Sequence, residues 1–280
     1  MFSDRLADAV RSSGPLCVGL DPRVESLPQS LRQFHAEPAD AVEAFCLKCL
    51  ELCRPYSAVV KPQAAFFELL GAAGMAAMGR VILAAKALGY LVILDAKRGD
   101  IASTAEAYAE AAFRVWHADA LTVNPYLGRD AIEPFLRVAR ETENGLFVLV
   151  RTSNPGAGLF QNLSCEGQPL YRHVAASVAE WNTTGLGDCG LGDVGAVVGA
   201  THPAELAELR AALPQCWLLV PGYGTQGGTA ADVKAAYRQD GLGAIINSSR
   251  AVTFPFKLDD PEWEKKIVAA ATKAQAELKR

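Results

Sequence analysis

The sequence predicts an α/β protein, a single-domain (β/α)8 barrel of the TIM type that spans residues 1–280. Short apolar runs rich in β-branched residues alternate with helical segments, which indicates a parallel sheet covered on its outer face. Eight such runs occur, and this number favours a closed barrel over an open doubly wound sheet. No G-x-G-x-x-G motif follows the first run, which argues against a dinucleotide-binding fold.

The dominant pattern along the chain is a short apolar run, a polar tip and then a helical segment rich in Ala, Leu, Glu and Arg, such as HPAELAELRAAL. In chain order the predicted strands are LCVGLD (16–21), SAVVKP (57–62), LVILDAK (91–97), ALTVNP (120–125), LFVLVRTS (146–153), VGAVVGA (194–200), WLLVPG (217–222) and GAIINSS (243–249).

Composition excludes several classes of function. Half of the residues are hydrophobic and the net charge is -4, so a sizeable core can form without metals or disulfides. The slight acidity offers neither a basic surface for nucleic acid nor a polybasic signal for anionic lipid. The polar N-terminal segment does not resemble a signal peptide, and no stretch reaches the roughly 20 apolar residues of a membrane helix. We therefore expect a cytoplasmic protein that binds neither nucleic acid nor membrane.

Three cysteines at i, i+3 and i+7 invite comparison with a metal site. Cys46, Cys49 and Cys53 lie on one face of a predicted helix, and no second Cys or His pair at zinc spacing accompanies them. Because a free cysteine packs as a small hydrophobic residue, we predict that they belong to the core. The histidines form no visible pair either: His35, His117, His173 and His202.

Two stretches have the composition of loops. Residues 154–168 and 184–195 are rich in glycine and polar residues. Because glycine clusters most often serve turns, we predict that both are surface loops, and that neither marks a domain boundary.

The polar strand tips point to a functional pocket, because the chemistry of a barrel lies at the carboxyl ends of its strands and in the loops that follow. A few polar residues are expected there in any barrel. Seven, from six strands or the loops after them, suggest a converging site: Asp21, Lys61, Asp95, Lys97, Ser153, Gln226 and Arg250.

The central motif is LDAKRGD at 94–100. Side chains two apart along a strand point the same way, so Asp95 and Lys97 should both face the barrel mouth. Asp100 falls near the start of the next helix, and a strand-end salt bridge with Asp100 as a helix-terminal residue is an alternative interpretation. Lys61, at the end of the neighbouring strand, favours a catalytic role for these residues over the salt-bridge interpretation. Alternating ammonium and carboxylate groups suit a reaction that removes negative charge from one atom and supplies a proton to it.

The loops after strands seven and eight predict a phosphate site. Barrels commonly bind phosphate there. The glycines of PGYGTQGGT (221–229) would let the backbone approach an anion, and Arg250 of INSSR (246–250) could contact it in a bidentate way. The alternative is a plain glycine-rich turn followed by a surface arginine.

Several motifs together resemble one known family. In the expected order, from residue 17 to about residue 250, the chain carries VGLDPR, VVKPQAAFFE, LDAKRGDI, TVNPYLG, RTSNPGA, PGYGTQGG and NSSR. These are similar to the orotidine 5′-phosphate decarboxylases, and more narrowly to their bacterial type 2 subgroup. The resemblance implies decarboxylation of orotidine 5′-phosphate to uridine 5′-phosphate, no cofactor and no metal, and a homodimer with a shared active site.

The resemblance also implies roles for individual residues. Lys61, Asp95 and Lys97 match the charged network around the scissile carboxylate, with Lys97 protonating C6. Asp100, Ile101 and Thr104 match residues that reach across the dimer interface into the active site of the neighbouring subunit. Asp21 matches the carboxylate that holds the ribose hydroxyls, and Ser153 matches the hydroxyl that reads the pyrimidine amide edge. Gln226 and Arg250 match the residues that bind the phosphate. Many relatives carry a large apolar or aromatic residue between the lysine and the second aspartate, so Arg98 and Gly99 have no evident role.

Two other functions remain open from the sequence. The first is a magnesium-dependent sugar-phosphate decarboxylase or aldol synthase of the same superfamily. Such enzymes keep the DxKxxD motif, but they resemble each other in carrying an acidic residue where this chain has Lys61. A lysine there would repel a metal ion. A non-catalytic nucleotide sensor on a barrel scaffold is the second alternative, because fold alone does not fix function.

Overall fold

A computed structural model of the chain describes residues 1–201, 203–224 and 227–279. Within these residues, eight parallel strands close into a barrel, in the spatial order β1-β10-β9-β8-β5-β4-β3-β2. The barrel strands are β1 (Leu16–Leu20), β2 (Val59–Pro62), β3 (Leu91–Arg98), β4 (Ala120–Val123), β5 (Gly145–Arg151), β8 (Val194–Val198), β9 (Leu218–Val220) and β10 (Ala244–Ser248). The predicted barrel is confirmed, because each strand coincides with one of the eight apolar runs.

Helices follow the strands and cover the barrel. They are α1 (Phe2–Ser13), α2 (Gln29–Phe34), α3 (Pro38–Cys53), α4 (Ala64–Glu68), α5 (Gly71–Ala87), α6 (Ala102–Glu110), α7 (Arg129–Glu141), α8 (Gly158–Gln161), α9 (Leu170–Trp181), α10 (Pro203–Ala212), α11 (Ala230–Val233), α12 (Arg250–Thr253) and α13 (Trp263–Leu278). No helix of the described residues is long and apolar enough to cross a membrane.

The N-terminal helix closes the end of the barrel at which the strands begin. Phe2 and Leu6 of α1 are buried in one cluster with barrel residues such as Phe147 and Trp217. The rings of Phe2 and Phe147 meet edge to face, with centroids 6.2 Å apart. This helix therefore completes the inner core and leaves the opposite end of the barrel open.

The two loop predictions have different outcomes. The 154–168 stretch is mostly exposed, as predicted, although it contains α8 and a small hairpin of β6 (Ser164–Cys165) and β7 (Gln168–Pro169). The 184–195 stretch is more than a surface loop. Leu191 is fully buried in the cluster beneath the barrel, and the Cys189 N–H donates to Asp4 Oδ1 at 2.9 Å. A Cβ on Gly187 would lie 2.5 Å from Asp4 Oδ1 and from Ser3 Oγ, so this glycine allows the close packing against α1.

The three cysteines of α3 lie in the core, as predicted. Cys46, Cys49 and Cys53 are almost completely buried with Phe45 and Leu50 between α3 and the barrel. Burial raises the pKa of the Cys53 thiol to about 12, so these groups pack as hydrophobic side chains.

Candidate active site

A cavity of about 420 Å³ opens at the carboxyl end of the barrel. Every barrel strand, or the segment directly after it, contributes to the lining. Five of the seven predicted strand-tip residues line it: Asp21, Lys61, Asp95, Lys97 and Ser153. Arg250 is exposed at the first position of α12, and Gln226 lies outside the described residues.

Asp95 is the centre of the site. Lys61 Nζ donates to Asp95 Oδ2 at 2.5 Å, and Lys97 Nζ donates to Asp95 Oδ1 at 2.6 Å. Two further donors complete the set, Gln63 Nε2 to Oδ2 at 3.1 Å and Thr122 Oγ1 to Oδ1 at 2.9 Å. Each carboxylate oxygen therefore accepts two hydrogen bonds, which fixes the orientation of the carboxylate.

Charge pairing keeps this buried network ionised. Burial of Asp95 opposes its ionisation, but Lys61 and Lys97 outweigh burial and hold the pKa of Asp95 well below its usual range. Burial also acts to lower the pKa of Lys61, yet the carboxylates of Asp95 and Asp21 raise it above its usual value. Asp95 and Lys61 therefore stabilise each other's ionised forms.

The backbone at Lys97 departs from a regular strand. Lys97 has φ 47°, in the left-handed region that residues with side chains seldom adopt. The register between β3 and β4 shifts between Leu94 and Arg98. Asp95 and Lys97 do meet as predicted, but they meet through this irregularity and not through plain strand alternation. The Lys97 side chain remains 46% exposed, so its ammonium is accessible from the cavity.

The residues expected to serve a neighbouring subunit stay out of this chain's own cavity. Asp100 is half-buried, and its Oδ1 accepts the N–H of Ile101 at 2.8 Å. Ile101 is 56% exposed and Thr104 is also exposed, at the start of α6. α6 begins at Ala102 with Ile101 as its N-cap, so Asp100 lies one residue before the cap, and its interpretation as a helix-terminal residue stays open.

The structure gives Arg98 and Gly99 a structural role. The Arg98 guanidinium forms an ion pair with Glu68 of α4 and lies 5.1 Å from the ring centroid of Tyr108 on α6. At Gly99, a Cβ would lie 3.2 Å from the carbonyl oxygen of Asn124. Arg98 therefore ties the end of β3 to two helices, and Gly99 allows the chain to pass close to the next loop.

Sequence reasoning missed several residues of the cavity. Gln63 directly follows the predicted strand end at Pro62, so its place among the polar tips could have been recognised. Thr122 and Asn247 lie inside the apolar strands β4 and β10 and line the cavity. No sequence signal distinguishes an inward polar side chain there from an outward one before the barrel register is known.

Fold and site together define a (β/α)8-barrel enzyme with a lysine–aspartate–lysine network at the mouth of the barrel. More particularly, the chain belongs to the Orotidine 5′-phosphate decarboxylase / HUMPS family, whose model matches residues 14–255. The resemblance noted in the sequence is thereby confirmed.

Individual relatives agree with this assignment. The chain is 46% identical to the orotidine 5′-phosphate decarboxylase of Rhodopirellula baltica, with 99% of both chains covered. It is also 46% identical to that of Deinococcus radiodurans, over 87% of this chain and 85% of the relative. Among solved structures, the OMP decarboxylase of Leishmania donovani superposes with a TM-score of 0.82 at 40% identity, covering 99% of this chain and 96% of that one.

Proposed function

We propose that this chain converts orotidine 5′-phosphate to uridine 5′-phosphate and carbon dioxide, a step of pyrimidine synthesis, with Lys97 as the proton donor to C6. The observation that carries the proposal is the Lys61–Asp95–Lys97 network, which places two ammonium groups on one buried carboxylate inside the cavity. Membership of the decarboxylase family supplies the substrate.

The reaction follows from these charges. The substrate carboxylate at C6 lies against Asp95, and this like charge disfavours the bound ground state. When the bond between C6 and the carboxylate carbon breaks, carbon dioxide leaves and the electron pair stays on C6. The Lys97 ammonium stabilises this developing charge and then transfers a proton to C6. Neutral Lys97 regains its proton from solvent after the product leaves.

Other residues would hold the rest of the nucleotide. Asp21 has a buried carboxylate oxygen without a hydrogen-bond partner among the described residues, which suits a ribose hydroxyl donor. Ser153 lines the cavity and would read the pyrimidine amide edge. Arg250 is exposed and is held by no ion pair with a described residue, so its guanidinium is available for the phosphate. Gln226, which follows β9 in the sequence, would assist it.

The active species would be a homodimer with two shared sites. Asp100 and Ile101 directly precede α6 and Thr104 lies in its first turn, and none of the three lines its own cavity. This position suits residues that complete the site of a second copy. We further propose that the enzyme is cytoplasmic, and that residues 1–280 act as one domain without a cofactor.

The metal-dependent alternative fits the site less well. A divalent cation would need the oxygens of Asp95, and the ammonium groups of Lys61 and Lys97 are bonded to both of them. The positive charges of the two ammonium groups would repel a divalent cation at this position.

The direct test follows the loss of orotidine 5′-phosphate absorbance with a chelator present. We expect full turnover in chelator, and loss of turnover in Lys97→Ala while binding of uridine 5′-phosphate persists. Near wild-type decarboxylation by Lys97→Ala would contradict the role of Lys97. Chelator-sensitive turnover would favour the metal-dependent alternative, and tight nucleotide binding without turnover by the unmodified chain would favour the sensor.

A further inference from the structure

We infer that Thr122 is a positioning residue for decarboxylation, whose hydroxyl fixes the Asp95 carboxylate and the Lys97 backbone at the same time. The inference rests on the proposed function. Thr122 lies on β4, whereas the residues that it orders lie on β3, so it acts across the strand pair. Its side chain is buried and lines the cavity.

The hydrogen bonds of Thr122 leave its hydroxyl a single orientation. Thr122 Oγ1 accepts the N–H of Ala96 at 3.1 Å and the N–H of Lys97 at 2.9 Å. A hydroxyl has two acceptor sites and one proton. Because both acceptor sites are filled, the proton points to Asp95 Oδ1, 2.9 Å away. Asp95 is ionised and accepts this bond, so the polarity of the chain of hydrogen bonds is fixed.

The backbone of β3 needs this support. The ladder between β3 and β4 is interrupted between Leu94 and Arg98, so the amides of Ala96 and Lys97 lack their regular strand partners. The Thr122 hydroxyl takes both amides in their place. It thereby holds Lys97 at φ 47°, a conformation that persists only where its surroundings enforce it.

The same hydroxyl sets the position of the Lys97 ammonium. Lys97 and Thr122 share one carboxylate oxygen, Oδ1, while Lys61 and Gln63 share the other. Without the Thr122 donor, Oδ1 would be free to turn further toward Lys97, and the Lys97 backbone would lose its anchor. Both changes displace the ammonium from the carbon that it must protonate. The chemical step should therefore suffer more than nucleotide binding.

The test compares Thr122→Val with Thr122→Ser. Valine keeps the shape but loses the hydroxyl, whereas serine keeps the hydroxyl and loses a methyl group. We expect Thr122→Val to lower kcat at least roughly tenfold, the usual scale for a lost hydrogen bond to a charged group, with KM and the Kd for uridine 5′-phosphate changed less than about threefold. Thr122→Ser should keep kcat within about threefold of the unmodified enzyme.

A matched control is Thr142→Val. The Thr142 hydroxyl bonds the carbonyls of Val138 and Ala139 at the end of α7, away from the cavity, so kcat should not change. If Thr122→Val does not fold, Thr122→Cys takes its place, because a thiol is a much weaker donor and acceptor.

Three outcomes decide the matter. Unchanged kcat in Thr122→Val overturns the inference, and so does an equal loss in the serine and valine variants, which would indicate a packing role. Loss in valine with recovery in serine supports it. Absence of turnover in the unmodified enzyme would overturn the proposed function instead, so the two failures are distinguishable.

Discussion

Ser153 packs directly against the backbone of Gly199. A Cβ placed on Gly199 would lie 2.9 Å from the Ser153 Cβ and 3.0 Å from its Cα. The Gly199 N–H also donates to the carbonyl of Arg151 at 2.8 Å, which holds the two strand ends together. Ser153 therefore keeps its place in the cavity wall because the residue directly after the neighbouring strand β8 has no side chain.

Substitution of Gly199 by alanine should disturb substrate binding. The new methyl group must push Ser153 away, since the Gly199 backbone is anchored. We expect Gly199→Ala to raise KM about fivefold or more, in line with a strained contact of about 1–3 kcal/mol. Steady-state kinetics checks this. Gly156→Ala is the control, because its nearest neighbouring atom, Asn154 Nδ2, lies at an ordinary 3.7 Å. Equal KM values for both variants would contradict the role given to Gly199.

Loss of the Lys61 ammonium should destabilise the fold as well as the reaction. Lys61 and Asp95 are only 4% and 6% exposed, so Lys61→Met leaves a buried carboxylate with one of its two cations gone. We expect a loss of about 3–5 kcal/mol in the free energy of unfolding, measured by urea denaturation. Lys48→Met breaks the exposed pair with Glu51 and should cost less than about 1 kcal/mol. A similarly small loss of unfolding free energy in both variants would show that the buried pair stabilises the fold no more than the exposed pair does.

The stability contributed by Asp95 should resist acid. A carboxylate with a lowered folded-state pKa adds stability that is fully present above its unfolded pKa and disappears as pH falls through the folded value. The difference in unfolding free energy between the unmodified protein and Asp95→Asn should thus stay constant from about pH 6 to pH 5, and shrink only below about pH 4. Denaturant titrations at several pH values measure it. If burial rather than the lysines set this pKa, the folded value would be raised, and the unmodified protein would gain stability relative to Asp95→Asn as pH falls from 6 to 5.

Gln161 of α8, in the largely exposed 154–168 stretch, should influence substrate binding in the cavity. Its side chain accepts the N–H of Thr152 at 3.1 Å and donates to Thr152 Oγ1 at 2.8 Å, and Thr152 is part of the cavity wall next to Ser153. We expect Gln161→Leu to raise KM about tenfold, with kcat at saturation changed much less. Gln168→Leu, on the exposed hairpin of the same 154–168 stretch, is the control and should leave KM unchanged. If Gln161→Leu also has the KM of the unmodified enzyme, Gln161 does not support the cavity wall at Thr152 and Ser153.

The strand pattern and the strand tips were readable from the sequence because a barrel places every strand end at one mouth. That rule alone brings Lys61, Asp95 and Lys97 together, although they are up to 36 positions apart. The left-handed turn at Lys97 was not readable, since it depends on a hydroxyl from another strand.

Contacts between distant segments limited the rest of the prediction. The amphipathic pattern of α1 indicates that one face is buried, but not that Phe2 closes the bottom of the barrel against Phe147. Leu191 looked like part of a glycine-rich surface loop for the same reason, because its partners are remote in sequence.

Subunit mixing should reveal whether Asp100 serves a neighbouring site. Lys97→Ala and Asp100→Ala, each inactive alone, would form heterodimers in which one site has both groups intact. After random exchange of equal amounts, half of the dimers are mixed and half of their sites are intact, so about one quarter of the unmodified activity should return. Mixing Lys97→Ala with Lys61→Ala is the control. Both lysines contact the same Asp95 within one chain, so every site of that heterodimer lacks one lysine and no activity should return. With exchange confirmed by mass spectrometry of differently labelled chains, absence of recovery in the first mixture would show that Asp100 acts within its own chain.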